Sequence, residues 1–161
     1  MLVDHSSLPI FIDEDSSILI LGSFPSIKSR EEGFYYAHKQ NRFFLTLSKI
    51  FLEDEPKTTS ERKEFLRRHH IALYDVIERC EINNSSDSSI KNVTPIDIVS
   101  ILTRYPNIKR IGVTGGKASS LFEKYLKQLV NIPSFYLPSS SPANAKMQLS
   151  DLVESYSILF N

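Results

Sequence analysis

Four short apolar runs punctuate the chain, and the stretches between them carry helical periodicity. The runs are Ile18-Leu19-Ile20-Leu21, Ile71-Ala72-Leu73-Tyr74-Asp75-Val76-Ile77, Ile108 to Val113, and Ser134-Phe135-Tyr136-Leu137. Their length and β-branched content predict buried strands. Between and after them the spacing predicts helices over residues 42–52, 58–70, 94–104 and 117–130, and a last one opening at Ser141-Pro142 that turns Leu149, Leu152, Val153, Tyr156 and Phe160 inward. Strands that alternate with helices form a parallel sheet covered on both faces. The expected architecture is therefore α/β, a three-layer α/β/α sandwich around a short, mainly parallel four-stranded sheet. At 161 residues it is expected to form one domain over residues 1–161.

Local chemistry supports these boundaries. Thr58-x-x-Glu61 is a capping-box pattern. Thr94-Pro95-x-Asp97 supplies a cap, a first-turn proline and an acidic residue. The Ser/Asn/Asp-rich segment from Asn83 to Asn92 reads as loop, as do residues 23–41, a connection long enough to suggest a functional role.

Composition narrows the function. Lysine plus arginine and aspartate plus glutamate both total 19, so no overall positive charge favours non-specific coating of nucleic acid. The lone cysteine, Cys80, excludes an intramolecular disulfide and any four-cysteine zinc or iron–sulfur site; it reads as a small buried hydrophobe. No apolar run approaches the ~20 residues of a membrane span. The acidic start, with Asp4, Asp13, Glu14 and Asp15, is unlike a signal peptide, so a cytoplasmic protein without membrane association is expected.

Several apparent motifs fail on spacing. Gly115-Gly116-Lys117 invites a phosphate-loop reading, but Ile111 stands where the first glycine belongs and Ala118 where Ser or Thr belongs. No dinucleotide glycine pattern follows any strand, and no serine has a nucleophile-elbow setting. His69 and His70 read as a solvated helix end.

Two loops remain, each following a strand and so opening on the same edge of a parallel sheet. The first runs through Gly22-Ser23-Phe24-Pro25-Ser26 to Tyr35-Tyr36-Ala37-His38-x-x-Asn41-x-Phe43-Phe44, and the second is Leu137-Pro138-Ser139-Ser140-Ser141-Pro142-Ala143-Asn144. Aromatic rings beside a histidine, an asparagine and an arginine suit a pocket that stacks a flat ligand. These residues resemble the uracil-DNA glycosylase superfamily, and within it the hypoxanthine-DNA glycosylase branch. Leu73-Tyr74-Asp75-Val76, Ser85-x-Asp87-Ser88 and Gly115-Gly116-Lys117-Ala118 fall where that branch has similar segments.

The resemblance implies a monofunctional, metal-free and cofactor-free glycosylase, acting as a monomer on DNA that contains a deaminated base. It implies a target nucleotide everted into the pocket and hydrolysis of its N-glycosidic bond, as in base excision repair. In the mismatch-specific uracil branch a water-positioning Asn precedes the loop proline. Phe24 stands there instead, which favours hypoxanthine as substrate. The carry-over places Asn41 as the catalytic amide. Asn41 also stands where a helix begins, so a capping role competes. Tyr36 matches the aromatic that stacks on the base, with Phe34 and Tyr35 as further candidates, and the amides of Gly22, Ser23 and Phe24 are placed to meet the base oxygen. His38, Ser139, Ser140, Ser141, Asn144 and Lys146 are expected to contact DNA, and Asp75 and Asp87 are secondary candidates near the same edge. A mismatch-specific uracil or thymine glycosylase and a non-catalytic module that binds damaged DNA are the competing readings.

Overall fold

The computed structural model describes residues 2–5, 8–81 and 90–161; Asp87 and its neighbours Ser85 and Ser88 lie outside the described residues. The elements are β1 (Leu2–Asp4), β2 (Ile18–Gly22), α1 (Ile27–Glu32), α2 (Phe43–Phe51), α3 (Thr59–Arg68), β3 (Ile71–Asp75), β4 (Ile77–Glu81), β5 (Lys91–Pro95), α4 (Ile98–Arg104), β6 (Arg110–Thr114), α5 (Gly116–Tyr125), β7 (Ser134–Leu137) and α6 (Leu149–Tyr156). Short 3₁₀ turns follow α5 at Lys127–Leu129 and α6 at Ser157–Phe160.

The expected four-stranded sheet is present, in the order β3-β2-β6-β7, and every pair in it is parallel. Each residue of central β2 is buried, because helices cover both faces. Alternate side chains sort accordingly. Leu19 and Leu21 join Ala72, Ile111, Val113 and Phe122 on one side. Ile18 and Ile20 join Leu73, Phe43, Leu47, Phe65 and Tyr156 on the other. Register aligns Gly22 with Asp75, and Thr114 with Leu137, so the carboxyl ends of all four strands lie along one edge. Phe11 and Leu73 exchange backbone hydrogen bonds of 3.0 and 2.9 Å, which occupies the free edge of β3. No helix among the described residues is long and apolar enough to cross a membrane.

Four expectations need correction. First, residues 71–77 are not one strand. β3 stops at Asp75, and the amides of Val76 and Ile77 turn to the carbonyls of Gly22 and Ser23, at 2.7 and 3.1 Å. From there β4 enters a second, antiparallel sheet ordered β1-β4-β5. Its strands are short and largely polar, so period-2 hydrophobicity does not announce them. Cys80 is buried in it, as expected of a small hydrophobe.

Second, the long loop of residues 23–41 contains α1, whose Ser26 hydroxyl accepts from the Ser29 amide and whose C-terminus turns on left-handed Gly33 (φ 75°). Third, Thr94 and Pro95 belong to β5, and the cap of α4 is Asp97, which accepts from both the amide and the hydroxyl of Ser100. Fourth, the last helix begins at Leu149 rather than at Ser141-Pro142. Its capping box pairs Gln148 with Asp151, and residues 138–148 remain a braced loop. The Thr58/Glu61 capping box forms as expected.

Gly112 sets how closely the chain's last turn approaches the sheet. A β-carbon there would stand 2.8 Å from Leu159 and 2.9 Å from Leu137. Gly112→Ala is therefore expected to lower unfolding free energy by about 1–3 kcal/mol through overpacking, seen as a lower urea midpoint at unchanged m value.

Candidate active site

A cleft of about 620 Å³ opens over the carboxyl ends of the parallel strands. Gly22 of β2, Asp75 of β3 and Thr114 of β6 form its floor, and the first and second loops form its two walls. Parallel sheets place ligand sites at this edge because the connections diverge there.

Asn41 lines this cleft and stands one residue before Arg42, the N-cap of α2. Its Oδ1 accepts the Phe43 amide at 2.9 Å and the Ser140 hydroxyl at 2.8 Å. A backbone amide only donates, so the oxygen must face Phe43, and this fixes the orientation of the side-chain amide. With both lone pairs of Oδ1 engaged, the two Nδ2 protons are the hydrogen-bonding capacity Asn41 has left to offer. Asn41 thus holds the first amide of α2 from the position before its N-cap, Arg42, and the same side chain borders the cleft.

Next to it, Arg42 fastens the two loops. Its guanidinium donates to the carbonyls of Met147 (2.6 Å) and Asn144 (3.0 Å), and its amide donates to Ser140 O at 3.1 Å. Tyr156 adds a hydrogen bond from its hydroxyl to Pro138 O at 2.7 Å. Nothing local in the sequence announces the Arg42 clamp, since its partners lie about a hundred residues away.

Tyr36 lies in the left-handed region at φ 54°, and its ring stacks on Phe43 with centroids 3.9 Å apart and planes 9° apart. One ring face is thereby occupied, so a ligand in the cleft can use only the other. Burial first, and the Asp75 carboxylate second, push the Tyr36 phenol far above its usual range, so it stays protonated. The hydroxyl is enclosed near Thr114 without a well-formed hydrogen bond.

The other expected residues divide. Gly22, Ser23 and Phe24 line the cleft. Tyr35 borders it but is buried, and its hydroxyl donates to Pro9 O at 3.1 Å. Phe34 is corrected to a core residue. It packs edge-on to Phe11 and against Phe44, away from the cleft.

His38 stands exposed at the rim, and its Nδ1 accepts the Gln40 amide, leaving Nε2–H as the outward donor. The hydroxyl oxygens of Ser139 and Ser141 accept the amides of Ser141 and Ala143, and their O–H groups remain able to donate. Ser140 differs from its neighbours. It is 2% exposed, with its hydroxyl proton directed to Asn41, so it positions the amide and does not meet solvent or phosphate. The Asn144 side chain braces its own loop through Ser139 O, and Lys146 is exposed outside the cleft lining.

Asp75 is 5% exposed at the cleft floor, and its Oδ2 lies 3.2 Å from Nε2 of buried His5. His5 escaped sequence analysis because only the β1–β4 pairing brings it there. A β-carbon on Gly22 would stand 2.6 Å from Asp75 Oδ1, 3.6 Å from Thr114 Oγ1 and 3.7 Å from the Tyr36 hydroxyl. Three polar groups thus converge where Gly22 lacks a side chain.

Ser140→Ala removes one of the two donors that orient Asn41. The expected outcome is a loss of about 1 kcal/mol in stability, with ligand affinity nearly unchanged and the rate of any reaction that uses Asn41 lowered by roughly tenfold, since misplaced groups act on the rate. Single-turnover assays beside a binding titration and a urea melt check it.

No protein-family model matches the sequence. Over 140 residues the chain is 36% identical to a hypoxanthine DNA glycosylase of Methanosarcina barkeri, an overlap covering 86% of this chain and 87% of the relative. It is 31% identical over 139 residues to a hypoxanthine DNA glycosylase of Methanosarcina acetivorans, again over 86% and 87% of the two chains. Its fold matches the solution NMR structure of a protein from Methanosarcina acetivorans described as a candidate uracil DNA glycosylase, with a TM-score of 0.80, 26% identity and full coverage of both chains. By sequence and fold, the chain belongs to the hypoxanthine DNA glycosylase family and is a DNA glycosylase, an enzyme that acts on N-glycosyl bonds.

Proposed function

We propose that the enzyme removes hypoxanthine from DNA by hydrolysis, with the damaged nucleotide everted into the cleft and Asn41 beside the scissile bond. The observation that carries this reading is the position of Asn41. Its oxygen is locked by Phe43 and Ser140, and its Nδ2 protons are left for the cleft. The names of the curated relatives support hypoxanthine as the base.

In this reading the bond between C1′ and N9 breaks with its electron pair passing to the base. Positive charge then develops on the sugar and negative charge on the purine. A water held by Asn41 forms the new bond to C1′ and releases its proton to solvent. The departing base takes up a proton in turn. In this reading the amides of Ser23 and Phe24, which follow β2 at the cleft, would meet the base oxygen, while Gly22 is engaged in the ladder with β3; fixed dipoles aimed at developing charge are the largest resource available without a metal. Eversion costs a few kcal/mol, offset by stacking on Tyr36 and by contacts to the base edge. The O–H groups of Ser139 and Ser141 and the Nε2–H of His38 supply donors for the DNA backbone, which positions the duplex without reading its sequence.

Duplexes carrying a single deoxyinosine, deoxyuridine or deoxyxanthosine, followed by alkali, test the reaction and rank the bases. Release from deoxyinosine is expected to be fastest; binding without release from any of them would point to a non-catalytic module. Two variants separate chemistry from capping. Asn41→Ala removes both the cap and the amide, and should lose about 0.5–2 kcal/mol of stability and roughly a hundredfold or more in excision rate. Asn41→Asp keeps an acceptor for the Phe43 amide, so stability should hold while excision still falls. Turnover intact in Asn41→Ala would reduce Asn41 to a helix cap.

A further inference from the structure

DNA presents a line of phosphates, and the chain has no overall positive charge to meet them, since its basic and acidic residues both total 19. Affinity for the backbone must then come from cations placed locally. Among the described residues that line the cleft, Lys28 is the one lysine or arginine. It stands in the first turn of α1, on the wall that the first loop forms, with its side chain 46% exposed. The residues that line the facing wall, 139–143, carry no formal charge.

Lys28 is engaged in the free enzyme. Its Nζ lies 2.8 Å from Oε1 of Glu32, four residues further along α1. Helix energetics do not account for this pair. A helix favours acids near its N-terminus and bases near its C-terminus, and an i,i+4 ion pair is stronger in that order. In α1 the order is reversed: the lysine stands at the start, no acid stands in the first turn, and Glu32 is the last residue. Both side chains are about half exposed, and exposed pairs contribute little to stability. An incoming phosphate can therefore take the ammonium from the carboxylate. The hydrogen bond to Glu32, and after it the charge of Glu32, hold the Lys28 amine above its usual range. It is thus a cation and not a free amine, which suits an anion ligand and opposes a nucleophilic, Schiff-base role.

We propose that Lys28 is a DNA-phosphate ligand on the first wall of the cleft, and that Glu32 is its competitor within the same helix. In the free enzyme the carboxylate holds the ammonium. A phosphate seated against the wall displaces it, and Glu32 turns to solvent. DNA that passes at a distance meets a neutralised pair, and only a backbone lodged at the cleft gains the contact. A phosphate contact carries no base information, so damaged and undamaged duplexes gain equally. The proposal rests on the chain being a DNA glycosylase, and on neither the choice of base nor the role of Asn41.

The test is equilibrium binding of two duplexes, one undamaged and one carrying deoxyinosine, titrated by fluorescence anisotropy over a range of salt. Wild type, Lys28→Gln, Glu32→Gln and the double variant form a cycle, and glutamine suits a helix at both positions. In Lys28→Gln the slope of log affinity against log salt should be shallower by about 0.9, the value of one phosphate contact, on both duplexes alike. Lys28→Arg keeps the charge and should keep the wild-type slope. Lys109→Gln removes the same charge just before β6, at the sheet edge opposite the cleft, and should also leave the slope unmoved. Glu32→Gln should tighten binding by about twofold at low salt, the scale of an i,i+4 pair. In the double variant that gain should vanish, because the competitor has nothing left to compete for. Thermal melts identify any variant that fails to fold, and Lys28→Arg decides the matter should Lys28→Gln be among them.

An unchanged slope in folded Lys28→Gln, or an equal loss in Lys109→Gln, overturns the phosphate contact. So does a slope that falls as far in Lys28→Arg as in Lys28→Gln, which would mark a structural role. A gain from Glu32→Gln that persists without Lys28 means the carboxylate repels DNA on its own, and overturns the competition. Base release enters none of these readings. A protein that shows the expected slopes and releases no base would sink the proposed reaction and leave this contact standing; release with an unmoved slope would do the reverse.

Discussion

Everything at the cleft depends on how two consecutive residues, Asn41 and Arg42, tie a loop near one end of the chain to a loop near the other. Arg42 takes three backbone groups of the serine loop through its guanidinium and its amide. Asn41 takes the Ser140 hydroxyl. Each bond alone is worth about 1 kcal/mol, somewhat more where the guanidinium is the donor. Together they fix the separation of the two walls. They can do so because the next residues, Phe43 and Phe44, are fully packed against the sheet, so the anchor is the hydrophobic core itself. The Asn41 amide is thus held two residues ahead of a buried helix, at the border of the cleft.

The sheet serves this arrangement by register. Four parallel strands finish together, and the groups that follow their last residues are delivered to one edge whatever their separation in sequence. The small antiparallel sheet has a different consequence. Through β1 and β4 it returns the chain's beginning to the end of β3, and so places an imidazole behind a carboxylate that the parallel sheet has brought to the floor.

What the sequence makes legible follows from the range of the interaction that decides each feature. The parallel sheet, the capping box at Thr58 and the two cleft loops are encoded by periodicity or by neighbours three or four residues apart, and they can be read directly. The second sheet cannot, since its strands are short and half-exposed and owe their existence to pairing partners far along the chain. The start of α6 was obscured because Ser141-Pro142 has the local chemistry of a helix start, while Arg42 and the Asn144 side chain hold that segment as a loop. Phe34 was misread for a related reason: a motif assigns a residue to a loop, but only packing says which side of the loop faces the core. Ser140 illustrates the same limit within a run of three chemically identical side chains, of which one is turned inward.

Tyr36 carries one last implication. With Phe43 covering one side of its ring, the platform is single-faced, and a flat heterocycle could settle on it either way up. Stacking alone cannot choose between those two placements, since both cover the same area. Asp75 and Thr114 gather with the Tyr36 hydroxyl beside Gly22, at one end of the platform, so the two placements present different edges to them. The cleft is in that sense chiral toward an achiral ring: under the proposed function, it would favour one glycosidic rotamer of the everted nucleotide over the other.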